Sequence, residues 1–265
     1  MIATLDIPFD EFSSFLRGPA LGPAKIREAF HSDSANYFTE SLVDLKDHPT
    51  IKELGPLKLP SGAGVTEAIE HAITDILAQY DKVFSLGGDH SVTYPIIKAF
   101  AKKYKDLTIL HIDAHPDLYD VFEGNKFSHA CPFARIMESG LATRLVQVGI
   151  RTMAKHQREQ ADKFGVEVIQ MKDFNPLHKF EFDGPVYVSL DIDAIDPAFA
   201  PGVSHHEPGG LTSREVIRIL QSLRPNLVGA DLVEFNPTRD PSGITAMLAA
   251  KLYKELLDVL LRSDR

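Results

Sequence analysis

Four apolar runs of strand length end in acids: "VFSLGGDHS" (83–91), "LTILHIDAHPD" (107–117), "VYVSLDIDAID" (186–196) and "LVGADLVEFNP" (227–237). Their apolar residues are continuous rather than alternating, so both faces of each strand have to be covered, as in a parallel sheet. Short apolar runs and amphipathic segments alternate along the whole chain. The pattern predicts strands at 2–6, 41–45, 82–86, 107–112, 144–149, 166–170, 185–191 and 226–232, and helices at 23–31, 65–80, 92–104, 129–139, 155–164, 212–222 and 243–261. Thr212 or Ser213 can cap the sixth helix, with Glu215 in its first turn. No Pro/Gly/Ser-rich linker or internal repeat interrupts the series, so residues 1–265 are expected to form one domain. The fold class that follows is α/β: a three-layer α/β/α sandwich with helices on both faces of a mostly parallel sheet of eight strands.

Ligands of such sheets bind beyond the carboxyl ends of the strands, and that is where the acids stand. Side chains at i, i+2 and i+4 of an extended segment point the same way, so Asp113, His115 and Asp117 can converge, and so can Asp191 and Asp193. Converging carboxylates repel one another unless a hard divalent cation takes them together with imidazole. With His90 the set holds two His and four Asp, too many for one ion with an open position and suited to two. Bridging carboxylates from Asp113 and Asp191 would hold a pair roughly 3.5 Å apart. Other polar residues nearby have plainer readings: Asp89 as a cap or hydrogen-bonding group, Asp196 before Pro197 as a turn residue, and His111 as a satisfied core histidine.

The formal net charge of −9 and the pI near 5.6 argue against nucleic acid and anionic membranes as partners and suit a small cationic substrate. One cysteine, Cys131, rules out an internal disulfide and fits a reducing compartment; it reads as packing. The N-terminus lacks the basic and long apolar regions of a signal peptide, and no apolar run nears the roughly 20 residues a membrane span needs. A cytoplasmic location is the expectation.

The segments "GGDHS" (87–91), "DAHPD" (113–117), "SLDIDAIDPAFAPG" (189–202), "EPGGLTSRE" (207–215) and "VEFNP" (233–237) resemble the ureohydrolase family, which includes arginases and agmatinases. "SSFLRGPALGPAKIREAF" (13–30) is similar to the family's opening segment, and "DAHPDLYDVFEGNKFSHACPFARIMESG" with "PGVSHHEPGGL" resembles the plant-type arginase branch. The resemblance implies an eight-stranded parallel sheet, assembly into homotrimers or homohexamers, and two Mn²⁺ per subunit, with Ni²⁺ as the alternative. It implies that His90, Asp113, Asp117 and Asp191 hold one ion, and Asp113, His115, Asp191 and Asp193 the other. His129 matches the family's proton-shuttling histidine and Glu234 the carboxylate that receives a guanidinium. Many relatives have glycine where this chain has Ala130, and "TP" where it has His205 and His206.

The implied reaction is hydrolysis of a guanidino group to urea and an amine by attack of a metal-held hydroxide. L-Arginine is favoured as substrate, with agmatine or another guanidino compound as the alternative. The loop "DVFEGNKFS" (120–128) is the expected reader of the substrate's far end, with Asn125, Lys126 and Ser128 as candidate carboxylate contacts. "GIRTMAKHQRE" carries no acid where animal arginases hold the α-amino group. Two rival classes are a single-metal deacetylase, against which Asp193 and His90 speak, and a non-catalytic relative, against which the complete set of six ligands speaks.

Overall fold

The computed structural model describes residues 1–62, 64–223 and 226–263. Among these, one sheet contains the strands β1 (Ile2–Ile7), β2 (Ile51–Pro56), β3 (Lys82–Gly87), β4 (Thr108–Ile112), β5 (Arg144–Ile150), β6 (Glu167–Gln170), β7 (Pro185–Asp191) and β8 (Asn226–Val233). Their order is β2-β1-β3-β8-β7-β4-β5-β6, and every pairing is parallel. The continuous apolar runs are therefore explained as expected, because both faces are covered. Side chains of alternate parity divide between two cores. Phe84, Leu110 and Val188 pack with residues of the helices α1 (Gly22–Phe30), α6 (Ser213–Ser222) and α7 (Ile244–Arg262). Val83, Ile109 and Tyr187 pack with α2 (Val65–Leu77), α3 (Thr93–Lys103), α4 (Pro132–Glu138) and α5 (Lys155–Phe164).

Helix α6 starts where its sequence signal lies. Thr212 Oγ1 accepts from Glu215 N (3.1 Å), and Glu215 Oε2 accepts from Thr212 N (2.8 Å), a reciprocal capping box. Two expectations need correction. Residues 41–45 form no strand: Leu42 has φ 66° and stands exposed, and only an isolated antiparallel bridge joins Phe38 to Asp44. The edge strand is instead β2, which pairs with β1. Its sequence, IKELGP, is mostly solvent-facing and carries charges, a glycine and a proline that only an edge tolerates, so it showed no apolar run. The second correction concerns 129–131, which precede α4 rather than belonging to it. Pro132 at the first helical position starts the helix, and His129 is left in the turn before it.

The topology positions the site. The chain runs from β3 to β4 and on outward to β5 and β6, then returns so that β7 and β8 fill the gap between β3 and β4. The four acid-ended strands thus become the adjacent middle strands β3-β8-β7-β4, and their carboxyl ends face one common crevice. Among the described residues no helix is long and apolar enough to cross a membrane.

Candidate metal centre

His90 opens a short 3₁₀ turn directly after β3, Asp113 follows β4, Asp191 is the last residue of β7, and Asp193 sits in the turn Ile192–Ala194. Each is buried, while His115 is partly open. Around His90 Nδ1 stand carboxylate oxygens of Asp113 (Oδ2, 3.2 Å), Asp117 (Oδ2, 3.2 Å) and Asp191 (Oδ2, 3.1 Å). His115 Nδ1 lies 3.0 Å from Asp193 Oδ2 and 3.5 Å from Asp113 Oδ1. The two oxygens of Asp113 thus face the two groups, one each.

The hydrogen bonds behind His90 show what this arrangement requires. Asp231 is fully buried and accepts from Thr93 Oγ1 (2.9 Å), Tyr187 OH (2.9 Å) and Ser189 Oγ (2.7 Å). Since Ser189 gives its proton to Asp231, its oxygen accepts from His90 Nε2–H at 2.9 Å. The neutral ring then turns the lone pair of Nδ1 toward three carboxylates, and Nδ1 is a buried atom with no hydrogen-bond partner. Four electron-rich donors facing one point call for a cation. Separations near 3 Å are the edge of an octahedron with bonds of about 2.1 Å, so the donors fit a hard divalent ion. Without such charge, burial pushes the Asp191 carboxyl well above the carboxylate range, and the charges of Asp193 and Asp113 push it further. Burial opposes the charge of Asp113 as well, yet His111, His115 and His90 hold it well below that range. The site is a binuclear metal-binding site.

His111 is close enough to Asp113 to be taken for a ligand, with Nε2 2.7 Å from Asp113 Oδ2. Its other nitrogen accepts from Gln147 Nε2 (3.0 Å), so both nitrogens are used and the ring orients Asp113 from behind. Burial lowers its pKa, which suits this neutral state. Asp89 caps the turn at His90, accepting from Ser91 N (3.1 Å) with Oδ1 and from Phe12 N (3.1 Å) and Ser13 Oγ (3.2 Å) with Oδ2. Asp196 is a turn residue, accepting from Ala198 N, Gly209 N and Gly210 N. Cys131 is buried, and burial pushes its thiol up to about 12.

Glu234 follows β8 in the left-handed region (φ 63°), as does Asp117 after β4 (φ 48°), a conformation costing roughly 1–3 kcal/mol each that functional residues often carry. Glu234 Oε1 accepts from His90 N (2.9 Å) and from His129 Nδ1 (2.8 Å); Oε2 has no hydrogen-bond partner among the described residues. Burial works against a charge on His129, but Glu234 outweighs it and raises the ring to about 9. On its other side, His129 Nε2 meets Ser14 Oγ (2.8 Å) and Ser14 N (3.1 Å).

A cleft of about 190 Å³ opens over His115, Asp117, Asp191, Asp193 and Glu234, with His129 in its wall. The rest of the wall includes Ser14, Tyr119, Phe122, Thr152, Gln157 and His205. Asn125 and Ser128 are not among its lining residues. Asn125 Oδ1 accepts from Phe127 N (2.9 Å), and Ser128 is buried with its hydroxyl near Phe12 O and Ala130 N. Lys126 lies exposed over the Phe127 ring. The sequence reading missed Ser14, Gln157 and Ser189, and it placed Asp231 with Glu234 at an acid-ended strand without seeing that it supports Ser189. The buried hydroxyls and acid of β7 and β8 left a trace, since Ser189 and Asp231 are polar residues within apolar strands.

Compared with known protein families, residues 1–258 match the arginase family. Mitochondrial arginase 1 of Arabidopsis thaliana is 47% identical over 269 residues, covering 95% of this chain and 79% of that protein. An agmatinase of Bacillus anthracis is 35% identical over 261 residues, covering 95% of this chain and 89% of that protein. Among solved structures, the arginase from Medicago truncatula superimposes with a TM-score of 0.90 at 41% identity, over 98% of this chain and 87% of that one.

Proposed function

The chain belongs to the arginase family, and from that premise we propose that it hydrolyses L-arginine to urea and ornithine with two manganese ions. His90, Asp113, Asp117 and Asp191 would hold one ion, and Asp113, His115, Asp191 and Asp193 the other. Bound there, the pair supplies a water acidic enough to attack near neutral pH and a Lewis acid for the charge that develops. Two divalent ions balance four aspartates, so Glu234 leaves the cleft attractive to a cation.

The observation that carries the reading is the division of labour on Glu234. Oε1 is engaged by His90 N and His129 Nδ1, while Oε2 is unengaged in a residue that lines the cleft. A guanidinium donates to Oε2, which sets its carbon over the metal ligands. His129, charged below about 9, holds the proton that the leaving amine needs. Nickel is the alternative metal.

Arginine is preferred to agmatine on the character of the remaining wall. Gln157 is buried, its Oε1 accepts from Ala154 N (3.0 Å), and its Nε2 has no partner among the described residues. The Tyr119 hydroxyl is likewise without a hydrogen-bond partner among the described residues, and Tyr119, Phe122, Thr152 and Gln157 include no carboxylate. Neutral donors suit a carboxylate; the bare ammonium of agmatine finds no acid there. The higher identity to a plant arginase than to an agmatinase supports the same choice. Urea release measured side by side on arginine, agmatine, guanidinobutyrate and guanidine, with manganese or nickel loaded, tests it. A preference for agmatine overturns the substrate assignment, and no urea from any of them overturns the reaction.

A further inference from the structure

We propose that Ser14 is the terminal member of a proton relay, Glu234–His129–Ser14, that hands the proton to the departing amine; the relay rests on the ureohydrolase reading above. Both ring nitrogens of His129 are engaged. Nδ1 is 2.8 Å from Glu234 Oε1, and Nε2 is 2.8 Å from Ser14 Oγ and 3.1 Å from Ser14 N. With the ring neutral, the Ser14 N–H donates to Nε2 and the proton stays on Nδ1, directed at Glu234. With the ring charged, Nε2–H has Ser14 Oγ as its acceptor. A proton leaving the ring on the side away from Glu234 therefore meets Ser14 Oγ first.

Ser14 is placed to pass it on. The residue is half-buried, lines the cleft, and its hydroxyl has no other hydrogen-bond partner among the described residues. Nor is its position that of a loose loop. Phe12 N and Ser13 Oγ are held by Asp89 Oδ2, His129 N donates to Phe12 O (3.1 Å), and Asp10 Oδ2 takes Gly18 N (2.7 Å) and Ala20 N (3.2 Å). The same segment that carries the serine is thus tied to the backbone of the histidine it serves. Other ionisable groups around His129 are Asp89, Asp117 and the ring of His205, 5.7 Å away between centroids.

The step balances. As the C–N bond breaks, its electron pair goes to the leaving nitrogen, which takes the proton of the Ser14 hydroxyl. Ser14 Oγ takes the proton of His129 Nε2, and the ring is left neutral with its Nδ1–H on Glu234. No other reactant is needed.

Ser14→Ala and Ser14→Thr in the metal-loaded enzyme test this. Ser14→Ala is expected to lower kcat by about tenfold or more, the lower part of what general acid catalysis contributes, with KM little changed. Ser14→Thr, which keeps the hydroxyl, is expected to restore most of kcat. The solvent-isotope dependence of kcat should be curved in the wild type, with two protons in flight, and linear in Ser14→Ala. An unchanged kcat with a curved dependence in Ser14→Ala overturns the relay, and so does failure of Ser14→Thr to exceed Ser14→Ala. If the wild type releases no urea, the reaction reading fails separately. The ¹⁵N resonance of His129 Nε2 then decides for the contact itself: a shift in Ser14→Ala supports it, and no shift overturns it.

Discussion

Ser189→Ala removes one hydroxyl that never touches the cleft, yet it is expected to loosen one metal and spare the other. In the wild type His90 Nε2–H donates to Ser189 Oγ at 2.9 Å, and Ser189 donates to Asp231 at 2.7 Å. Those two bonds fix the tautomer that aims Nδ1 at the oxygens of Asp113, Asp117 and Asp191. Alanine leaves Nε2–H buried without an acceptor, a loss of about 1–3 kcal/mol. The metal-free ring can escape that cost by moving its proton, whereas the metal-bound ring cannot, so the penalty falls on binding. Loss of such a supporting bond typically costs about 10–100-fold in metal affinity, or about 1.4–2.8 kcal/mol. His115, Asp193 and the Oδ1 oxygen of Asp113 have no contact with Ser189, so their group should bind as before. Calorimetric titration of manganese into the chelator-stripped protein reads both steps. Equal affinity at both steps in the variant and the wild type, or equal weakening of both, refutes the reasoning.

Three further outcomes follow from other parts of the structure. His129→Ala should keep both metals, by elemental analysis, and lose most turnover; full turnover removes the assigned role. Because Glu234 raises His129 to about 9, the proton-bearing form exists below that pH and is lost above it; kcat should fall as pH rises through about 9, and in Glu234→Gln the imidazole should titrate lower by NMR. Arg27 donates to Asp6 Oδ1 (2.9 and 3.0 Å), Thr4 and Tyr253 in the first core, so Arg27→Ala strands a nearly buried carboxylate and should cost about 3–5 kcal/mol in urea unfolding.

The legible parts of the chain were those where physics repeats along the sequence. Continuous apolar runs gave the seven inner and outer strands other than β2, and the i, i+2 spacing of Asp113 and His115 placed them together. What escaped was of two kinds. β2 and the 41–45 segment are both mostly exposed, and the more apolar of the two is the one that forms no strand, so only the pairing with β1 selects between them. The wall of the cleft depends on residues far apart in sequence: Ser14 meets His129 across 115 positions, and Ser189 meets His90 across 99. A lone serine carries no periodic signal, so its role emerges only when the strands are set side by side. The loop expected to read the substrate, 120–128, spends Asn125 on its own turn, an inward hydrogen bond that turn-forming residues favour.

The insertion of β7 and β8 between β3 and β4 also sets a schedule for biogenesis. On a ribosome β2-β1-β3 and then β4-β5-β6 can each pair as they emerge, but the two groups cannot join through β3 and β4 without burying the wrong edges, because β3 and β4 are not neighbours in the finished sheet. Asp191, Asp193 and Glu234 arrive with the last two strands. A nascent chain lacking them has His90 and Asp113 but no complete cage for either ion. Non-local parallel pairing of this kind is slow. Cation capture is therefore a late event that reports completed assembly, and divalent ions present during refolding should act on the final step by trapping correctly inserted strands.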